Sequence, residues 1–110
     1  MTHEEVFQML EGSGLPVIYY SWPENMAPSL PYLVYYYPNS ADEYADNTNH
    51  QKNMRLNVEL YTKQKDFDLE AQIGTILNNN GLTYSTSEGY LDSEEMYEIL
   101  FETEVIINGE

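Results

Sequence analysis

The chain has no cysteine and only four basic residues, against 19 acidic ones among its 110 residues. Without cysteine, neither a disulfide framework nor a thiolate site can form. The formal net charge of −15 at pH 7 should repel phosphate backbones at long range, which argues against ordinary nucleic-acid binding. No stretch approaches the ~18 apolar residues of a membrane span, and no basic segment followed by an apolar run opens the chain. We therefore expect a soluble, unsecreted protein that does not bind membranes.

The remaining composition is that of one folded domain. Hydrophobic residues make up 42% of the chain and aromatic residues 14%, which is too many for wholesale disorder. A chain of this length buries about 60–70% of its unfolded surface around a single core, so we expect residues 1–110 to form one domain. The eleven tyrosines suit partly buried sheet faces and protein interfaces, because each ring has an apolar body and a polar tip.

The clearest pattern is a two-residue period between Met54 and Thr62. Apolar side chains at alternate positions would face a core, while those between them would face water. The apolar positions are Met54, Leu56, Val58 and Leu60, and the polar ones are Arg55, Asn57, Glu59 and Tyr61. This period predicts a half-buried central strand. We expect Leu56 and Val58 to point into the core beneath the helix that follows.

The order of elements predicts an α+β fold. A capping box between Thr2 and Glu5 opens a short first helix, and Asp66 is placed to cap a second helix that stops at Gly81. Five runs rich in β-branched and aromatic residues predict strands. These are Val17–Trp22, Tyr32–Tyr37, Met54–Thr62, Leu82–Ser87 and Met96–Ile107. The order α-β-β-β-α-β-β implies a mainly antiparallel sheet of about five strands with two helices packed on one face.

A long polar segment from Pro38 to His50 separates the second and third strands and has no regular period. Loops of this length in compact domains are usually functional or disordered, so we expect it to move in the free protein and to become ordered on assembly. Tyr44 could anchor the loop in a neighbour's pocket, or it could fold back on its own sheet. The candidate contact residues here are Asp42, Glu43, Tyr44 and Asp46.

A second candidate group consists of Glu98, Glu102 and Glu104, which share one face of the last predicted strand. They could act as general acids or bases or bind a hard cation, but exposed carboxylates are the ordinary polar face of a half-buried strand. We therefore interpret them as a wet face that influences assembly. His3 and His50 lack zinc-ligand spacing, and no nucleophile elbow or phosphate-binding loop is present. The sequence thus predicts no catalytic residue, no metal and no cofactor.

The chain as a whole resembles a family of small proteins from tailed phages and prophages, the tail-completion or tail-terminator proteins. The similarity covers nearly the entire domain and rests on structural motifs, none of them catalytic. The motifs are Leu15–Tyr20 after a short helix, Pro31–Tyr35, Val58–Lys63, Asp66–Leu77, Tyr84 and Met96–Val105.

The resemblance implies a virion protein of the tail or neck that is made in the host cytoplasm. Members of the family form a ring, often hexameric, that ends polymerisation of the tail tube and contacts the head connector. The implied partners are further copies of the chain, the major tail protein and a head-closure or connector protein. Two alternatives stay open: another phage neck protein of similar fold, and an acidic inhibitor that imitates DNA and binds a basic enzyme.

Overall fold

The computed structural model describes residues 1–38 and 51–108, and within them the elements follow the predicted order. The α+β fold is therefore confirmed as a single domain of two helices and a five-stranded sheet. The elements are α1 (His3–Glu11), β1 (Val17–Tyr19), β2 (Tyr32–Tyr36), β3 (Gln51–Thr62), α2 (Phe67–Asn79), β4 (Tyr84–Leu91) and β5 (Met96–Asn108).

The sheet has the strand order β1-β2-β3-β5-β4, so the strand predicted to be central, β3, lies in the middle. β1 pairs with β2 in parallel, and every other pairing is antiparallel. The longest ladder joins β3 to β5, from Gln51 opposite Asn108 to Thr62 opposite Tyr97. β1 and β4 form the two edges.

The core lies between the sheet and the two helices. Leu56, Val58 and Leu60 of β3 are completely buried, which confirms the predicted inner face of this strand. Alternate residues of β5 are also buried, as predicted, while Glu102 and Glu104 are exposed on the other face. The helices contribute Val6, Met9, Leu10, Ile73 and Leu77 to the same cluster, together with Ile99, Phe101, Val105 and Ile107 of β5.

Both predicted helix caps are present. The Thr2 hydroxyl accepts a hydrogen bond from the Glu5 backbone N–H at 3.1 Å, and the Glu5 carboxylate accepts one from the Thr2 N–H at 2.9 Å. At α2, the Asp66 carboxylate accepts a hydrogen bond from the Leu69 N–H at 3.0 Å. The chain reverses after this helix at Gly81, whose φ of +81° lies in the left-handed region that glycine adopts without strain.

The strand boundaries differ from the prediction, most clearly in β1, β3 and β4; β3 begins at Gln51 rather than Met54. β1 ends at Tyr19 because Tyr20 has a φ of +76°, which breaks the extended conformation. β4 continues past Ser87 to Leu91, which pairs with Met96 across a tight turn. The sequence did not predict this extension because residues 85–89 are polar and exposed, and an exposed edge strand shows no apolar period.

Candidate functional site on the open face of the sheet

One face of the sheet points away from the helices, and we call it the open face. Its centre is formed by the polar positions of β3 and β5, which the antiparallel register places side by side. Tyr61 lies opposite Glu98, and Arg55 lies opposite Glu104. The open face consequently gathers the outward-facing polar residues of two strands that are far apart in sequence.

At the β2 end, the open face is covered by the connector of residues 20–31. Tyr32 and Val34 are buried although they point away from the helices. The Trp22 ring meets the Tyr32 ring edge-on at 5.6 Å between centroids, and the Tyr20 ring meets the Tyr36 ring in the same way at 6.1 Å. This cover explains why β2 is apolar or aromatic at every position, as expected for a strand buried on both faces.

A cluster of two carboxylates and a tyrosine lies next to this covered region. The Tyr61 hydroxyl donates a hydrogen bond to the Glu59 carboxylate at 2.6 Å and lies 3.3 Å from a carboxylate oxygen of Glu98. Beside it, the Asn57 side-chain amide donates to the Tyr36 hydroxyl at 3.2 Å. All of these groups are partly buried, so the cluster is a fixed network rather than a set of freely moving surface side chains.

The surroundings of Glu98 make its carboxyl group harder to ionise than that of an exposed glutamate. Partial burial disfavours its charged form, and the nearby Glu59 carboxylate repels a second negative charge, so the pKa of Glu98 is raised above the ordinary glutamate value. Burial and then the hydrogen bond to Glu59 raise the pKa of Tyr61, so this hydroxyl stays protonated and remains a donor. The network therefore forms a contact between β3 and β5 whose strength depends on whether Glu98 is protonated.

The other half of the open face is a shallow, more exposed hollow of about 1000 Å³. Arg55, Glu102 and Glu104 line it, and the Asn53 amide lies 3.5 Å from a Glu104 carboxylate oxygen. Within residues 1–38 and 51–108, Arg55 makes no ion pair with a carboxylate. This region has a wide opening and a mixed charge, and it can receive a polar partner surface.

The three predicted glutamates differ in their surroundings. Glu102 and Glu104 are exposed, as the interpretation of a wet face requires, whereas Glu98 is half-buried and has a carboxylate oxygen 3.3 Å from the Tyr61 hydroxyl oxygen. The loop candidates Asp42, Glu43, Tyr44 and Asp46 lie outside the described residues.

Sequence reasoning overlooked Glu59 and Tyr61 as parts of a site. The two-residue period had already assigned both residues to the wet face of β3. Their approach to Glu98 depends on the β3–β5 register, which a single strand pattern does not contain.

Residues 1–38 and 51–108 form neither a cluster of metal ligands nor a membrane-spanning helix. No group of three or more His, Asp or Glu side chains there could hold a metal ion. None of the helices formed by these residues is long and apolar enough to cross a membrane.

Comparison with models of protein families gives no match, and comparison with curated protein sequences gives none either. The function is therefore inferred from the fold, the exposed surfaces and the resemblance in sequence pattern.

Proposed function

We propose that this chain is a non-enzymatic assembly protein of a tailed phage or prophage, which caps the tail tube and joins it to the head connector as a ring. The resemblance described above supplies the class of protein. The structural observation that supports it best is an unprotected edge strand, β4, at one side of the sheet.

β4 is eight residues long and pairs only with β5, so its outer backbone groups have no strand partner in the described part of the chain. Edge strands of monomeric proteins are usually blunted by proline, bulges or several charges. β4 contains no proline and one charged residue, Glu88, whose carboxylate is bound by Lys65. An edge of this kind suits a protein that is completed by a neighbouring subunit.

The opposite edge, β1, differs from β4 in length and in chemistry. It has three residues, runs parallel to β2 and ends in exposed tyrosines. A subunit with two different contact edges can bind two neighbours through one repeated heterologous contact, and such contacts form a ring when the rotation closes. Two unlike edges therefore favour a cyclic assembly over a two-fold dimer.

The charge of the chain also agrees with a ring through which DNA passes. A formal net charge of −15 gives the assembly a strongly negative field, which does not bind phosphate and lets DNA slide. Glu102 and Glu104 on the open face are exposed and contribute to this field.

Deletion of the gene from its phage or prophage tests the proposal. Electron microscopy of the lysate should show filled heads and separate tail tubes of irregular length, and the wild-type gene supplied on a plasmid should restore joined particles. Tubes of normal length that fail to join heads would identify a different neck protein. Normal virions, with the purified chain bound one-to-one to a basic enzyme, would identify a DNA-mimic inhibitor instead.

A further inference from the structure

Large apolar side chains that remain exposed are concentrated at the two edges of the sheet. Three belong to β1 and the connector after it, and two belong to the β4 edge and the start of α2. The sixth is Ile106 near the end of β5. Their exposed fractions are 48% for Tyr19, 69% for Tyr20, 68% for Met26, 73% for Phe67, 49% for Tyr90 and 52% for Ile106.

We call the first group, with the glutamate between its members in the chain, the β1 side; it consists of Tyr19, Tyr20, Glu24 and Met26. This part of the molecule is purely acidic. Residues 1–38 contain four glutamates and no lysine or arginine. Glu24 is exposed. The β1 side therefore combines exposed apolar area with uncompensated negative charge.

We call the second group the β4 side; it consists of Lys63, Lys65, Phe67 and Tyr90. Lys65 holds this surface together, because its ammonium group lies 2.7 Å from the Glu70 carboxylate, bonds to Glu88 and lies 4.7 Å above the Phe67 ring. Phe67 is thus fixed in position while most of its surface faces solvent.

Lys63 is the available cation of the β4 side. It is exposed and forms no ion pair within residues 1–38 and 51–108. With Lys65, it lines a hollow of about 350 Å³ that is also bounded by Gln64, Tyr90 and Tyr97. Since the Lys65 ammonium is already bound by Glu70 and Glu88, the Lys63 ammonium, between two tyrosine rings, is the group that can bind the carboxylate of a glutamate.

We propose that copies of this chain join through these two surfaces, the β1 side of one copy against the β4 side of the next, a contact that rests on the ring-forming function proposed above. The exposed glutamate of the β1 side, Glu24, enters the hollow beside Lys63. The exposed aromatic and methionine side chains of the two sides pack against each other around this ion pair.

Charge gives the physical reason for this pairing. Copies that each have a net charge of −15 repel one another, so a stable contact must place cations at the interface. The chain has only four basic residues, and two of them, Lys63 and Lys65, lie beside the exposed rings of Phe67 and Tyr90. Because the two sides consist of different residues, the contact is heterologous and can repeat around a ring.

A mixing experiment with two variants tests this contact by size-exclusion chromatography with light scattering. The first variant, Lys63→Glu with Phe67→Ser, removes the β4 side, and the second, Glu24→Gln with Met26→Ser, removes the β1 side without creating a cation that could pair with the new glutamate of the first. Each should lose the ring species at a concentration where the wild type is fully assembled. Mixed in equal amounts, they should form a dimer of twice the 12.8 kDa chain mass, because each retains one intact surface.

The control variant, Lys52→Glu with Ile106→Ser, makes the same changes at an exposed lysine and an exposed isoleucine elsewhere, and it should assemble like the wild type. Circular dichroism spectra should match across all variants, since every changed side chain is exposed.

Three results would overturn the proposed contact. Rings formed by both variants would show that copies join through other surfaces, while the ring-forming function would stand. Variants that are monomeric alone and also when mixed would show that the two sides do not meet. A wild-type chain that is monomeric under all conditions would overturn the ring itself as well as the contact.

Discussion

Gly74 of α2 packs directly against the Tyr84 side chain of β4, and its replacement by alanine distinguishes the effect of helix propensity from that of packing. A β-carbon at this position would lie 2.7 Å from the Cζ atom of Tyr84 and closer still to its hydroxyl oxygen. Real β-carbons essentially never approach a heavy atom this closely. Tyr84 would have to move, although its ring is half-buried and packs against Phe101 at 5.4 Å between centroids.

The two effects of Gly74→Ala have opposite signs. Alanine in a helix interior stabilises by about 1 kcal/mol relative to glycine. An extra methyl group in a packed region costs about 1–3 kcal/mol, because neighbouring side chains are forced from their preferred positions. We expect the packing term to exceed the propensity term, so that the free energy of unfolding falls by about 1 kcal/mol.

A double-mutant cycle with Tyr84→Ala checks this reasoning by urea denaturation. In the Tyr84→Ala background the space is free, so Gly74→Ala should stabilise by up to about 1 kcal/mol. The sign of the effect should therefore reverse between the two backgrounds. A stabilising effect of Gly74→Ala in the wild-type background, equal to that in the Tyr84→Ala background, would refute the close approach.

Three further predictions concern the core and the open face. Leu56→Ala or Val58→Ala, at completely buried positions, should lower the free energy of unfolding by about 2–4 kcal/mol, and a loss below about 1 kcal/mol in denaturant titration would contradict the assigned face. Because the folded state raises the pKa of Glu98, stability from its protonated form is present at low pH and is lost as pH rises through that pKa. Glu98→Gln should therefore raise the melting temperature at pH 7, but it should have no effect at a pH below the pKa of an unfolded glutamate. Glu102→Gln, at an exposed site, is the control. Equal effects of the two changes on the melting temperature would argue against the cluster. Replacing Glu98, Glu102 and Glu104 together by Gln should leave the monomer folded and change the salt dependence of its association, whereas unfolding would mean that this face is buried and paired.

Local patterns were sufficient to predict the elements of the fold. The alternation from Met54 to Leu60 identified the inner face of β3, because a side-chain period of two residues follows from strand geometry alone. The caps at Thr2 and Asp66 were likewise predicted, since each depends on residues within one turn of the helix. Information of this kind is contained within a few consecutive residues.

The parts that depend on long-range pairing were not predicted. The contact of Tyr61 with Glu98 requires β3 to lie beside β5 in one particular register, although β4 precedes β5 in the chain. The β1 and β4 sides could not be predicted from the sequence either, because strand order decides which residues lie at the edges of a sheet. In the sequence alone, nothing distinguishes Lys63 from other residues of a turn or Phe67 from other residues at the start of a helix.

Immunogold labelling of detached phage tails tests the central proposal most directly. A purified antibody against the chain is applied to tails separated from their heads, and the positions of gold particles are recorded by electron microscopy. If the chain caps the tail tube and joins it to the head connector, the label should lie at one end of each tail, the end that bound the head. Label distributed along the tube, at the distal tip, or absent from every tail would contradict the proposal.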